Sequence, residues 1–451
     1  MKRLCMYFVL QLCVLTASQK TSLDSPINLY IYRHVRNWVI KNFGPGDDPR
    51  RYEAGAYGKV QDEVPIDVPF PCNVTGGRSS EIPDSVHRLR PGDIDVIAAM
   101  GDSLTAGVGI FATDLIGLPI ENRGAAGSIG GQGTWRTYLT LPNILKEFNP
   151  NLVGYALGDS LTSHPASQLN VAELGAMSKD MPFMAKYLVN RIRNDSRIDI
   201  NKHWKLISIS IGSNDFCAEM CAVSSPWSLI ENHKIDLINT LRILRDNLPR
   251  TFLTLNLPPH LEALIATRQG RSSLKCYAMT NLECPCLFAL QYRDRRPEYY
   301  DIMRRRQSKH VLAAGTPKLT EIRADKYLKP WSGPYKEFFW QELEEEIANY
   351  EEFQTDDFTV VTLPTLKRVT IPLAEDGYSD VSYLSADCFH VSQKANARFA
   401  NGIWNNLLEP IGNKTERWYA PYERFLCPTE ERPYLMTIKS TVKENTVSEL
   451  I

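Results

Sequence analysis

The sequence predicts an α/β protein whose parallel sheet, of about five strands, is covered by helices on both faces. Three observations predict it. Apolar runs of strand length recur at residues 96–100, 151–157, 205–211, 251–257 and 358–363. Stretches between them place apolar residues at helical spacing, as in Met184, Leu188 and Ile192, or Leu237, Leu241 and Leu244. The runs also stop at turn residues, Gly101, Gly212 and Pro258-Pro259. Strands alternating with amphipathic helices pack as a parallel sheet between helical layers.

The chain has 451 residues, 43% hydrophobic and 23% charged, which is ordinary globular composition with length enough for a large core. Its net charge of −1 provides no basic field for nucleic acid. Residues 1–18 read as a signal peptide: Lys2 and Arg3 precede a mostly apolar stretch too short to span a bilayer, and Thr16 and Ser18 suit cleavage after Ser18. The expectation is a secreted protein without a membrane anchor. Of ten cysteines, Cys5 and Cys13 leave with the signal. Eight remain, an even number that suits disulfides. Cys217 and Cys221 are close enough to pair locally, and Cys276, Cys284 and Cys286 cluster in one insertion. Cys284-Pro285-Cys286 lacks a matching pair of ligands, so no metal is expected. Sequons at Asn73, Asn194 and Asn413 suit a secreted glycoprotein.

Taken in order, residues 19–94 form an extension and lead-in. Residues 28–43 have helical spacing, 44–51 break it, and 63–92, rich in Pro, Gly and Ser, run extended to the first strand. That strand ends at Gly101-Asp102-Ser103, which presents a hydroxyl at the carboxyl end of the sheet, where open α/β sheets bind ligands. The Gly-rich stretch 124–133 lacks the ending of a phosphate-binding loop and reads as a surface excursion. A short helix over 141–148 and a second strand over 151–157 follow. Gly158-Asp159-Ser160-Leu161 repeats the letters at 101–104 but lacks the later glycine, so Ser160 is a decoy.

Helices are expected over 181–194 and 229–248, with strands at 205–211 and 251–257. Residues 262–321 break the alternation with the cysteine cluster and a solvated basic run, Arg304-Arg305-Arg306. A helix over 338–350 leads to the last strand, 358–363. Asp387 and His390 come just before a final helix with Ser392 available as its N-cap and Ala395, Phe399, Ile403 and Leu407 as its buried stripe. From Cys427 the chain is expected to be polar and ragged.

Serine needs a base, and imidazole is the base best matched to neutral pH. On one tight turn, Asp387 can reach Nδ1 of His390, fix its tautomer and leave Nε2 to face Ser103. Acyl transfer also needs donors for the developing oxyanion. The Ser103 amide, the Gly175 amide in the 170–176 stretch and the side chain of Asn214 are the candidates.

These residues resemble a known family. Gly101-Asp102-Ser103-Leu104, Asn170 with Gly175, Gly212-Ser213-Asn214-Asp215 and Asp387-Cys388-Phe389-His390 are similar, in order, to the four blocks of the GDSL (SGNH) hydrolases. The flanks at 85–93, 128–131, 141–145, 283–287 and 404–410 narrow the likeness to the animal phospholipase B branch, over about residues 70–417. The resemblance implies a three-layer α/β/α SGNH-hydrolase fold acting without metal or cofactor. It implies Ser103 as nucleophile, His390 as base, Asp387 as its orienter, and Ser103, Gly175 and Asn214 as the oxyanion hole. Asp102 and Asp215 are expected to be structural. Three departures stand out: one catalytic unit without an anchor, Glu173-Leu174 in place of smaller residues and proline, and a long segment over 310–343 that could be a lid, a groove wall or an inert insertion.

The expected organisation is a signal peptide (1–18), the extension (19–94), a hydrolase domain (95–417) with insertions at about 123–165 and 262–345, and a tail (418–451). The expected activity is secreted phospholipase B-type hydrolysis of phospholipids and lysophospholipids, with transient contact to lipid aggregates or a membrane surface. No nucleic acid and no obligate protein partner are expected. The alternatives are a carboxylesterase for smaller or carbohydrate esters and a non-catalytic binding protein on the same scaffold.

Overall fold

The computed structural model describes residues 47–270, 273–303 and 340–440, with His34, Val35 and Trp38 besides. The signal peptide, most of the 28–43 helix, the Arg304-Arg305-Arg306 run and residues 310–339 of the long segment lie outside the described residues.

Four strands, β1 (Ile94–Gly101), β2 (Trp204–Ser210), β3 (Thr251–Asn256) and β4 (Phe358–Leu363), pair in parallel in the order β1-β2-β3-β4. Ala98, Ile207, Leu253 and Val360 stand in one row across them. Side chains alternate faces along a strand, so this row faces one helical layer and the row beside it, Ile97, Leu206 and Phe252, faces the other. The strands are apolar on both faces because both are covered.

On the Ala98 face lie α2 (Met181–Arg193), α3 (Trp227–Asn247) and α5 (Trp340–Ala348), while α4 (Ser273–Glu283) places Cys276 in a small separate cluster with Leu384 and Cys388. Buried Met184, Leu188, Leu241, Cys284, Trp340 and Leu343 share one core with the strands. On the Ile97 face lie α1 (Leu141–Phe148) and α6 (Gln393–Leu408), with Leu145, Ile403, Trp404 and Leu407 in a second core. The three layers are those the sequence predicts. Ala395, Ile403 and Leu407 are fully buried as expected, and Trp404, one residue off that stripe, is buried as deeply.

The fifth strand is not a continuous strand. Beyond β1, its place is filled in tandem by two separated segments. Val153 pairs with the first half of β1, through Val153 N to Asp95 O (3.0 Å) and Ile97 N to Val153 O (2.9 Å). The run breaks at Gly154, which has φ +100° and lies so close to β1 that a Cβ there would meet Ile97 O at 2.2 Å. The pairing resumes with residues 169–173: Ala99 N donates to Leu169 O (3.1 Å), and Val171 N to Ala99 O (3.0 Å).

Other expectations are corrected. Residues 44–51 do not simply break the chain, since Asp47–Ala56 is helical, with Pro49 in its first turn where no N–H is missed. The Gly-rich stretch is buried from Gly124 to Gly131 and reaches the surface only at Gly133, rather than being a surface excursion throughout. Its backbone is satisfied internally, as by Gly130 N to Ala126 O (2.7 Å) and Gly131 N to Ala156 O (2.8 Å). Ser392 stands at the N-cap of α6, but its hydroxyl accepts no capping bond. Residues 427–440 are held in place, by a Cys72–Cys427 disulfide and by buried Leu435 and Met436.

Cys217 and Cys221 do not pair with each other. They bond Cys284 and Cys286 respectively, and the fourth disulfide joins Cys276 to Cys388. Cys217 sits in a helical turn, Asp215–Glu219, that ends two residues before Cys221, and both cysteines meet the Cys284–Cys286 segment instead of each other.

Candidate active site

β1 ends at Gly101 because only glycine fits there: φ is +153°, and a Cβ would lie 2.3 Å from Ser210 O. The chain then makes a single helical turn, Ser103–Ala106, capped by the Asp102 carboxylate, which accepts from Leu104 N at 3.0 Å. Gly107, in the left-handed region at φ +73°, ends the turn. Ser103 is therefore the first residue of a helical turn at the carboxyl end of the sheet, and only 4% exposed.

Asp387 and His390 are brought together. Asp387 Oδ2 lies 2.5 Å from His390 Nδ1, while Oδ1 accepts the amides of Phe389 (2.9 Å) and His390 (3.0 Å). One carboxylate thus closes the turn and orients the ring. His390 Nε2 is buried and has no hydrogen-bond partner among the described residues. The turn is anchored from three sides. Ser385 Oγ donates to Gly109 O (2.7 Å), Lys59 from the lead-in donates to Leu384 O, and Cys388 is bonded to Cys276 on α4.

Burial by itself would lower the His390 pKa, but the adjacent Asp387 charge and hydrogen bond outweigh it, helped by Glu283 and Asp102, and the imidazole sits above its ordinary value. Burial would raise Asp387, yet the His390 charge and the hydrogen bonds hold it below the usual carboxylate range. Asp102 is pushed up to about 6 by burial, opposed by the Leu104 amide and by His390. That mutual influence puts the residue preceding Ser103 within electrostatic reach of the imidazole.

The 170–176 segment docks on the Ser103 turn. Asn170 Nδ2 donates to Thr105 O (2.9 Å), and Glu173 N to Gly101 O (3.0 Å). Gly175 takes φ +75°. Asn214 donates from Nδ2 to Ala176 O at 2.9 Å, which uses one amide hydrogen and leaves the second. The two candidate donor segments are thus bonded to each other. Asp215 accepts the Ser178 amide (3.1 and 3.2 Å), and burial pushes its carboxyl up to about 8. Among the described residues it is Asp387, not Asp215, that hydrogen-bonds the His390 ring.

Sequence reasoning missed Arg123. Its guanidinium is fully buried and paired with Glu121 Oε2 at 2.8 Å. It also donates to Asn170 Oδ1 (3.0 Å), Thr162 Oγ1 (2.9 Å), Ala172 O (2.8 Å) and Ser160 O (2.9 Å). One rigid fork thus gathers the Gly-rich stretch, the decoy and the donor segment. The only signal in sequence was an acid two residues before a base. The Ser160 hydroxyl donates to Gly158 O (3.2 Å) and its carbonyl accepts from Arg123.

An apolar cavity opens at the carboxyl ends of the strands, lined by Leu104, Ile211, Leu257, Val391 and Phe399 among others. Cys284 and Cys286 are both taken up in disulfides, and no cluster of three or more metal-ligating side chains occurs among the described residues.

The family model for GDSL-like lipase/acylhydrolase matches residues 97–403. The chain is 34% identical over 365 residues to membrane-associated phospholipase B1 of Rattus norvegicus and 35% identical over 366 residues to that of Homo sapiens. Each match covers 80% of this chain and 22% of the relative, so the chain spans about a fifth of the length of these curated relatives.

Proposed function

The chain belongs to the GDSL-like lipase/acylhydrolase family, and from that premise we propose that it is a serine ester hydrolase acting on phospholipids and lysophospholipids. The observation that carries this reading is the Asp387–His390 pair, with Nδ1 held at 2.5 Å and Nε2 without a hydrogen-bond partner among the described residues. An imidazole so held is in the tautomer that accepts a proton at Nε2.

In this mechanism His390 Nε2 takes the proton of Ser103 Oγ as the oxygen attacks the ester carbonyl carbon. The carbonyl π electrons move to oxygen, where the amides of Ser103 and Gly175 and the Asn214 side chain stabilise the charge. On collapse the bond to the leaving alcohol breaks, and the imidazolium returns its proton to that oxygen. Water, activated by the same imidazole, then releases the fatty acid from the acyl-enzyme.

The lipid substrate is supported by the likeness to phospholipase B1 proteins and by the apolar cavity beside the Ser103 turn. Leu115 and Ile116 are exposed, close in sequence to Leu118, which packs against Ala106 and Val108 of the segment that follows Ser103, and their exposure suits transient contact with a lipid surface. Secretion belongs to the same proposal. Its support is the four disulfides and the exposure of all three sequon asparagines, Asn73, Asn194 and Asn413.

The test is fatty-acid release and fluorophosphonate labelling of the purified protein. Ser103→Ala abolishes both, whereas Ser160→Ala keeps both. Activity that survives loss of Ser103 overturns the assignment. A matched panel of phospholipids and short-chain esters separates a lipase from a small-ester carboxylesterase. A wild-type protein that neither labels nor turns over any ester is a binding protein on the hydrolase scaffold.

A further inference from the structure

The donor segments are closed into a ring by four buried side chains that the mechanism does not use. Ser178, three residues after Gly175, shares a 2.8 Å hydrogen bond through Oγ with His233 Nδ1 on α3. His233 Nε2 lies 3.1 Å from Glu344 Oε1 on α5, a close approach that does not meet hydrogen-bond geometry. The same oxygen accepts the indole N–H of Trp340 at 3.0 Å. Trp340 stacks on the His233 ring, with centroids 3.7 Å apart. The indole then reaches the other donor segment. It packs against Gly212, where an added Cβ would come within 3.0 Å of the ring, and it meets the Phe216 ring edge-on at 4.7 Å. Gly212 and Phe216 bracket Asn214. The ring closes through Asn214 Nδ2 to Ala176 O and through the Ser178 amide to Asp215.

His233, Glu344 and Trp340 are all within 3% of complete burial, and Ser178 is 3% exposed. The Ser178–His233 and Trp340–Glu344 hydrogen bonds and the stacked His233 and Trp340 rings together hold these side chains in one arrangement. The stacked His233–Trp340 pair thus fixes the spacing between the segment carrying Gly175 and the segment carrying Asn214. Oxyanion donors work only when they are held where the charge develops. A shift of about 1 Å, even from a distant cause, costs on the order of 10²-fold in rate.

We propose that Ser178, His233, Glu344 and Trp340 form a positioning unit that sets the separation of the two oxyanion donors, Gly175 and Asn214. This rests on the reading of those two residues as donors. It also gives the far end of the 310–343 segment a role, because Trp340 is core rather than surface.

The experiment measures kcat and KM on a soluble ester and the rate of fluorophosphonate labelling, for the full chain and for Ser178→Ala, His233→Gln and Asn214→Ala. Ser178→Ala removes only the hydroxyl joining the unit to the donor segment, so it serves where His233→Gln does not fold. The expected result is a roughly 10–100-fold fall in kcat and in labelling rate, with KM within about twofold. In an Asn214→Ala background, the Ser178→Ala penalty shrinks to a few-fold, because the two act through one feature. An unchanged kcat in folded Ser178→Ala protein overturns the proposal, and so does a penalty that is fully additive with Asn214→Ala. Wild-type protein without Ser103-dependent turnover overturns the enzymatic reading and this one with it. Wild-type turnover with an indifferent Ser178→Ala overturns this one alone.

Discussion

Cys388, the residue after Asp387, is bonded to Cys276 on α4, 112 residues earlier in the chain. It also takes φ +58°, a backbone conformation that a residue with a side chain adopts only when its surroundings hold it. The turn that pairs Asp387 with His390 is therefore tied to the insertion and not only to the helix that follows. Replacing both cysteines by serine is expected to cost about 2–4 kcal/mol in urea unfolding. It is also expected to lower kcat by more than tenfold in protein that is still folded. Full activity in the double variant would show that the turn holds itself.

The Asp387 carboxylate does two things at once: it accepts two backbone amides and orients the imidazole. Asp387→Asn keeps the shape but presents the ring with the wrong hydrogen-bonding partner. By analogy with the serine-protease triad, kcat falls ~10⁴-fold with KM little changed. Steady-state kinetics on a soluble ester decides it. Asp215→Asn serves as the contrast, because Asp215 bonds the Ser178 amide instead. If Asp215→Asn loses more than Asp387→Asn, the orienter is misassigned.

The pH profile follows from the raised His390 pKa. The base must be neutral, so kcat/KM falls as pH drops through the imidazole pKa, and that limb lies above the ordinary histidine value of about 6.5. Glu283, itself raised by burial, is one of the negative groups that favour the imidazolium. Removing its charge with Glu283→Gln stabilises the imidazolium less and moves the limb to lower pH, with the plateau rate kept. A limb that stays in place or moves upward refutes this electrostatic account.

Arg123 carries a buried charge shared among several segments, so its loss is expected to be severe. Arg123→Met leaves a buried site built for a guanidinium beside Glu121 and is expected to cost about 3–5 kcal/mol. It also frees Asn170, and with it the docking of residues 170–175 on the Ser103 turn. Denaturant unfolding and kcat are therefore expected to fall together. Stability within about 1 kcal/mol of wild type would show that the guanidinium is not the hub.

Much of the fold was legible because strand and helix periodicity is local. The run at 358–363 became β4 at those limits, and of the stripe Ala395, Phe399, Ile403 and Leu407 all are buried except Phe399, which is half-buried. What failed was long-range. Residues 151–157 have strand character, but at Gly154 the chain leaves β1, and residues 169–173 take over the edge. No local pattern marks such a hand-over. Cys217 and Cys221 looked like local partners, yet both meet the Cys284–Cys286 segment instead of each other.

The site divides in the same way. Asp387 and His390 are three residues apart, so one turn is enough to join them, and the sequence by itself determined that pair along with the strand-end placement of Ser103. Trp340 and Glu344 are neighbours on one helix and Glu121 stands beside Arg123, but the sequence around these residues says nothing of their partners across the fold, such as His233 against Trp340 or Asn170 on Arg123. Only the tertiary structure decided that they meet. Burying an ion pair or a histidine is tolerable only where folding supplies its partners, and those partners are chosen by packing rather than by spacing along the chain.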